Sequence, residues 1–178
     1  VTLDLTGLPP TAAEVEAFVQ DKKPDAYGRL VDRLLARPHF GERMGLDWLD
    51  AARYSDTNGF SIDGGRHLWL WRDWVIQAFN DNKPYDRFIA EQIAGDLIEG
   101  GSDPEKNERL VATTFLALGS MDLNEKNSEQ YRMDQVDEQI DTTGRAILAL
   151  TTGCARSTRR AKKEAPIGEI SSLKLNCG

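Results

Sequence analysis

The sequence predicts an all-α fold, about seven helices in one compact bundle-like domain, and three observations carry that prediction. Apolar residues recur at helical spacing through seven successive segments. No stretch of alternating β-branched residues competes with them. At 178 residues and 40% hydrophobic content, the chain is long enough to bury one core and short for two.

The first helix is expected from about 12 to 22. Pro9-Pro10 stops extended chain, Thr11 can cap, and Glu14 three residues later completes a capping box. In "PDAYGRLVDRLLARP" the residues Tyr27, Leu30, Val31, Leu34 and Leu35 define a second helix, which Pro38 ends. Met44, Trp48, Leu49 and Ala52 share one face of a third, running to about Tyr54. Residues 55–67, "SDTNGFSIDGGRH", carry two glycine turn signals and no apolar period, so a long loop is expected there. Trp71, Trp74, Val75, Ala78 and Phe79 stack a fourth helix; Tyr85, Phe88, Ile89, Ile93 and Leu97 stack a fifth, with Pro84 suited to its first turn. A sixth starts at a Ser102 or Asp103 cap and ends near Gly119. The polar run 120–130 is a second long loop, after which Met133, Val136, Ile140, Thr143, Ile147 and Leu150 trace one face of a long seventh helix.

Charge is unevenly spread. Through Cys154 the chain holds 16 basic and 27 acidic residues, 16 − 27 = −11, against a total of 22 − 29 = −7, which leaves +4 for the last 24 residues. An acidic body offers no footprint for phosphate backbones, so nucleic acid is not expected as a partner. No apolar run approaches the roughly 18–20 residues a membrane span needs, and nothing resembles a signal peptide. The chain starts at Val1 in mid-motif, so a segment upstream is expected. Two cysteines, Cys154 and Cys177, are too few for a disulfide framework.

The 55–67 loop is the densest polar constellation, with Asp56, Asn58, Asp63 and Arg66 flanked by Arg53, Tyr54, Arg72 and Asp73. Two readings stay open. In one, Asp and Asn serve their own turns and the arginines pair with Asp73 or Asp96. In the other, the loop forms an anion or sugar pocket. There Asp56, Asp63 or Asp96 supplies a catalytic carboxylate, and Arg53, Tyr54, Asn58, Arg66, Trp69 and Arg72 hold substrate. Asp56-x-Asn58-Gly59 is half a calcium loop, but His67 stands where a bidentate Glu belongs, and neither His39 nor His67 has a companion at ligand spacing, so no metal is expected. Trp48 and Trp74 fall in the core stripe, whereas Trp69 is out of phase and should be exposed. Asp96 sits in the last turns of its helix, against the local dipole, and an arginine from the 53–72 region is expected to compensate it.

Four blocks in order, "VTLDLTGLPPT", "LVDRLLARPHFGERMGLDWLDAARYSDTNGF", "WRDWVIQAFNDNKPYDRFIAEQIAGDL" and "DQVDEQIDTTGRAILALTTGCAR", resemble the domain of unknown function that accompanies cytochrome c modules in large secreted proteins of planctomycetes and related bacteria. The resemblance covers about residues 1–156. It implies a periplasmic or secreted location, other domains of a larger parent protein as partners, and redox-linked processing of polysaccharide as the setting. It also implies haem c, because family members carry Cys-x-x-Cys-His after the last helix, two thiols for thioether bonds and an iron-ligating histidine. Here only Cys154 remains of that motif; Ser157 stands in the place of the second cysteine and Thr158 in that of the histidine, so no haem cofactor is expected in this chain. The resemblance stops at Arg156, where the composition turns basic. A shifted reading frame produces that coincidence, and residues 157–178 are then a non-homologous, disordered tail; a genuine variant tail is the alternative. Three functions follow: a helical module of a cytochrome-associated protein, an enzyme domain with an Asp/Arg pocket, or a non-catalytic binding domain using Trp69 and the 55–67 loop.

Overall fold

The computed structural model describes residues 1–59 and 62–151, and the fold is all-α. Its helices are α1 (Thr2–Thr6), α2 (Ala12–Gln20), α3 (Ala26–Leu35), α4 (Pro38–Ala51), α5 (Trp69–Asn80), α6 (Tyr85–Ala94), α7 (Asp103–Ala112) and α8 (Ser128–Leu148). Two 3-10 turns, Gly95–Leu97 and Thr113–Ala117, continue α6 and α7. Among the described residues extended pairing is limited to one isolated antiparallel bridge, Thr57 with Gly65.

Two differences from the sequence reading lie at prolines. The segment before Pro9-Pro10 is helical, because Gly7 takes a left-handed φ of 69° and closes α1 with its N–H on the Leu3 carbonyl. Pro38 does more than end α3: it occupies the first turn of α4, where its missing N–H costs nothing. Pro84 is the N-cap of α6 and precedes its first turn. The expected capping box of α2 is present, Thr11 Oγ1 accepting from the Glu14 N–H while Glu14 Oε2 accepts from the Thr11 N–H at 2.8 Å. The helix expected from residue 102 to about 119 stops at Ala112 and tightens into the 3-10 turn.

The core is built on α5. Trp71 and Val75 are completely buried, and Ala78, Phe88, Ala112, Phe115 and Leu118 close around them. Trp74 stacks on Phe88 with ring centroids 5.3 Å apart, and Trp48 meets the same ring edge-on at 5.1 Å. Each such side chain contributes roughly 1.5–3 kcal/mol on burial. Packing of α4 on α5 is close because Gly41 and Gly45 face it; a Cβ at Gly41 would run into the Ile76 carbonyl and the Asn80 amide. Asn80 holds the same junction by accepting from the Gly41 N–H at 2.8 Å. Most polar atoms in the core are matched, the buried Trp71 Nε1 being an exception. The buried Gln92 accepts from Trp48 Nε1 at 2.9 Å and donates to the Phe88 carbonyl, and buried Glu91 pairs with Lys83, which lies 4.9 Å over the Trp74 ring.

Two helices depart from ordinary amphipathic placement. α2 buries no residue, and an ion pair between Glu14 and Arg37 ties it to the start of α4. α8 turns a polar face toward the body: Gln139 donates to the Leu116 carbonyl, and Glu138 and Asp141 pair with Arg53. The apolar face traced in the sequence points outward over much of its length. Met133 is 49% exposed, Val136 40% and Ile140 47%, and only Ile147 of that stripe packs on the core. Cys154 and the 157–178 tail lie outside the described residues.

Candidate functional site

The turn after α4 sets the position of everything that follows. It is a Schellman closure, the Tyr54 N–H bonding the Leu49 carbonyl at 2.9 Å and the Arg53 N–H the Asp50 carbonyl at 3.1 Å. Arg53 occupies the left-handed position, φ 58°, where glycine is the usual residue. Its guanidinium reaches Asp141 at 2.6 Å and also pairs with Glu138, while Arg145 shares Asp141 at 3.4 Å. These carboxylates hold the Arg53 proton more firmly than usual against the opposing effect of burial. Arg53 thus ties α4 to α8.

The 55–67 loop is braced by its own candidate residues. Arg66 donates to the carbonyls of Leu118 and Gly119, both at 2.9 Å, and to that of Ala117, taking the open end of the 3-10 turn; burial lowers its pKa somewhat. Asn58, 4% exposed, donates to the Met121 carbonyl. Asp63 accepts from the Gly59 N–H at 2.8 Å, and this bond, with help from Thr57, holds its carboxyl below the usual range. These are the bonds of turn chemistry on a larger scale, loop to neighbouring segment. The carboxylates that pair with Arg53, at positions 138 and 141, escaped the sequence reading; their signal was an i, i+3 acidic pair beside the apolar stripe of α8.

Asp96 is not where the sequence reading put it. It lies in the 3-10 turn beyond α6, exposed, in a segment that packs on α7. Arg72 pairs with its neighbour Asp73 at 3.1 Å, and Arg53 with α8, so neither arginine compensates Asp96; exposure to water does.

The other candidate residues lie on a surface where the loop joins α5. Tyr54 stacks on Trp71 at 6.0 Å and donates to Asp56 at 2.6 Å; burial first, then that bond, raises its pKa to about 12. The Arg72–Asp73 pair lies close enough for its charges to act on Tyr54. Trp69, 47% exposed, opens α5, and Asp73 and Gln77 follow it at four-residue intervals on the same face. Asp73 and Gln77 line a cavity of about 440 Å³ between α5 and α7, floored by Trp74 and Val111 with Glu108 across from them. Trp74 offers only an edge there, because Phe88 takes one face of its ring and Lys83 stands over it. No group of three His, Cys, Asp or Glu able to hold a metal occurs among the described residues.

Fold and site define an all-α domain with a braced loop and an open groove between α5 and α7. Over residues 1–157 the sequence matches the model of PSCyt2, a protein family of unknown function (DUF1549), and the chain belongs to that family. No curated protein and no solved structure matches it significantly. No helix among the described residues is long and apolar enough to cross a membrane.

Proposed function

We propose that this chain is a non-catalytic saccharide-binding module of a secreted, cytochrome c-associated multidomain protein. The observation that carries the binding role is α5, whose exposed Trp69 shares a helix face with Asp73 and Gln77, two residues that line a groove of about 440 Å³ between α5 and α7. A sugar ring presents axial C–H groups to an indole face and hydroxyls to planar carboxylate and amide groups, and one face of α5 carries all three, the carboxylate shared with Arg72 and the amide with Asp81. Arg53, Arg66 and Asn58 support a binding role over a catalytic one, since their donors are spent on holding the loop and α8 in place.

The cytochrome association, the extracytoplasmic location and the boundary near residue 156 rest on the sequence blocks that resemble cytochrome-linked proteins. The residues of this chain do not fit a covalently held haem, because Ser157 and Thr158 replace the second cysteine and the histidine; the binding role uses none. Titrating the protein with neutral oligosaccharides of several linkages, followed by calorimetry and by tryptophan fluorescence, tests the reading. Millimolar or tighter binding that Trp69→Ala abolishes and Asp73→Asn weakens several-fold is expected. Absence of binding to every linkage class, or binding indifferent to Trp69, overturns it.

A further inference from the structure

A second cavity, of about 290 Å³, opens between α4, α5 and α6, and its walls are aromatic. Phe40 and Trp48 come from α4, Phe79 from α5, and Tyr85 and Phe88 from α6. Phe88 is the buried inner wall, met edge-on by Trp48 and Phe79 at centroid distances of 5.1 and 5.7 Å, whereas Tyr85 is 63% exposed and stands at the mouth. Two polar residues border the same space. α5 closes with the Lys83 N–H on the Ala78 carbonyl at 2.9 Å and the Asn82 N–H on the Phe79 carbonyl at 3.1 Å, which holds Asn82 in the left-handed region, φ 48°, and sets both residues along the cavity. Among the described residues the Asn82 amide and the Tyr85 hydroxyl bond to no other group. Lys83 alone of the lining residues is charged. Its ammonium pairs with Glu91, which Arg87 also reaches at 3.3 Å, so two cations answer one carboxylate and the group keeps a net positive charge.

We propose that this cavity is a binding site for a planar aromatic carboxylate of one or two rings. Size sets the ring count: an apolar cavity of about 150 Å³ holds one benzene, and this one is roughly twice as large. The walls set the flat aromatic body. Aromatic rings pack offset or edge-on at centroid separations of about 4.5–7 Å, and among the described residues Phe40 and Tyr85 enter no ring pair, which leaves both able to take one. Charge sets the acid. A carboxylate only accepts, and the polar groups here can all donate: the Lys83 ammonium beyond the bond it gives Glu91, the Asn82 amide and the Tyr85 hydroxyl. An amine on the ring would meet Lys83 with like charge, and an unsubstituted arene would leave these donors to water. Asn82 and Tyr85 are exposed, so the carboxylate keeps part of its hydration at the mouth while the ring enters, and the full cost of burying a charge is avoided. The acidic surface elsewhere on the chain is screened beyond about 10 Å at ordinary salt, so the contact charges decide.

The cavity adjoins the α5–α7 groove, sharing Ala78 and Lys83 with it, but the ligand carries no sugar and the inference does not rest on saccharide binding. The probes are 2-naphthoate, its uncharged analogue 2-naphthamide and the non-aromatic cyclohexanecarboxylate, each titrated into the full chain by calorimetry. 2-Naphthoate should bind one per chain with a Kd in the micromolar to sub-millimolar range, and the other two at least tenfold more weakly. Asn82→Gly removes the amide and suits the left-handed backbone, so the turn survives. It and Tyr85→Phe should each weaken 2-naphthoate several-fold and narrow its advantage over 2-naphthamide. Tyr85→Ala, which takes away a wall, should weaken both naphthalenes; Tyr27→Ala, at a similarly exposed tyrosine on α3, should weaken neither. Circular dichroism of every variant should match the parent. No saturable binding of 2-naphthoate at millimolar concentration, equal affinity for the acid and the amide, or affinity unchanged by both Asn82→Gly and Tyr85→Ala overturns the proposal.

Discussion

Arg53 reaches Asp141 at 2.6 Å across 88 residues of chain, from a backbone position whose φ of 58° disfavours any side chain. The strain is local and of known size, about 1–2 kcal/mol for a residue with a Cβ in the left-handed region. The ion pairs are partly exposed, so their contribution is modest and depends on salt. Replacing Arg53 by Ala keeps the strain and loses the pairs; replacing it by Gly loses the pairs and removes the strain. Arg53→Gly should therefore be more stable than Arg53→Ala by roughly 1 kcal/mol, measured by urea denaturation at low salt. Equal stabilities would show that the backbone relaxes once the guanidinium is gone.

Asp96 gives the opposite expectation. Because its carboxylate is exposed and the nearby arginines are engaged elsewhere, Asp96→Ala should change stability by no more than about 0.5 kcal/mol. A loss of several kcal/mol would mean that a buried partner had been overlooked.

Glu91 is the carboxylate whose removal should matter. It is 3% exposed, and Lys83, its partner, stands against the Trp74 ring with limited access to water. Glu91→Ala strands a cation beside the core and should cost about 3 kcal/mol, the lower end for breaking a buried pair, since Lys83 can swing partly outward. Replacing both residues by methionine should recover much of that loss. A double variant no better than Glu91→Ala would assign the stabilisation to packing and not to the pair.

Fold class and the positions of every helix after α1 were legible because the apolar period of each segment is a local property of the chain. Thr11 with Glu14 announced α2, and the α5 stripe of Trp71, Trp74, Val75 and Ala78 announced the core. Two kinds of fact were not legible. The period of α8 was visible but its direction was not: an apolar stripe says that something should cover it, and only the polar bonds of Gln139 and Glu138 to the body reveal which face is inward. Partners distant in sequence were equally hidden. Arg53 and Arg72 looked equivalent as neighbours of one loop, yet the Schellman turn aims the first at α8 while the second pairs with the next residue. The exposure of Trp69 was legible through its phase. Asp73 was named only as a partner for arginine, and its place on the face that Trp69 begins emerged once α5 was seen to start at Trp69.

Tyr54 should make stability fall at high pH. An unfolded tyrosine ionises near pH 10. In the folded protein, burial against Trp71 and the hydrogen bond to Asp56 raise that to about 12. Below the unfolded value both states hold the proton and the contribution of the neutral phenol is whole. Between the two values the unfolded chain has released its proton while the folded chain keeps it, so the unfolded state binds fewer protons and stability declines with every increment of pH. Above about 12 the folded phenol ionises as well, next to the Asp56 carboxylate, and the contribution is gone. Alkaline pH acts on more than one group of a protein, so the measurement must be differential. Urea midpoints of the parent chain and of Tyr54→Phe, taken from about pH 8 to pH 11, should converge or cross as pH rises, because the variant lacks the titrating group. Phenolate absorbance of the parent should contain a late-titrating component that the variant lacks. Parallel stability curves for the two proteins would place the Tyr54 hydroxyl in water, not against Asp56.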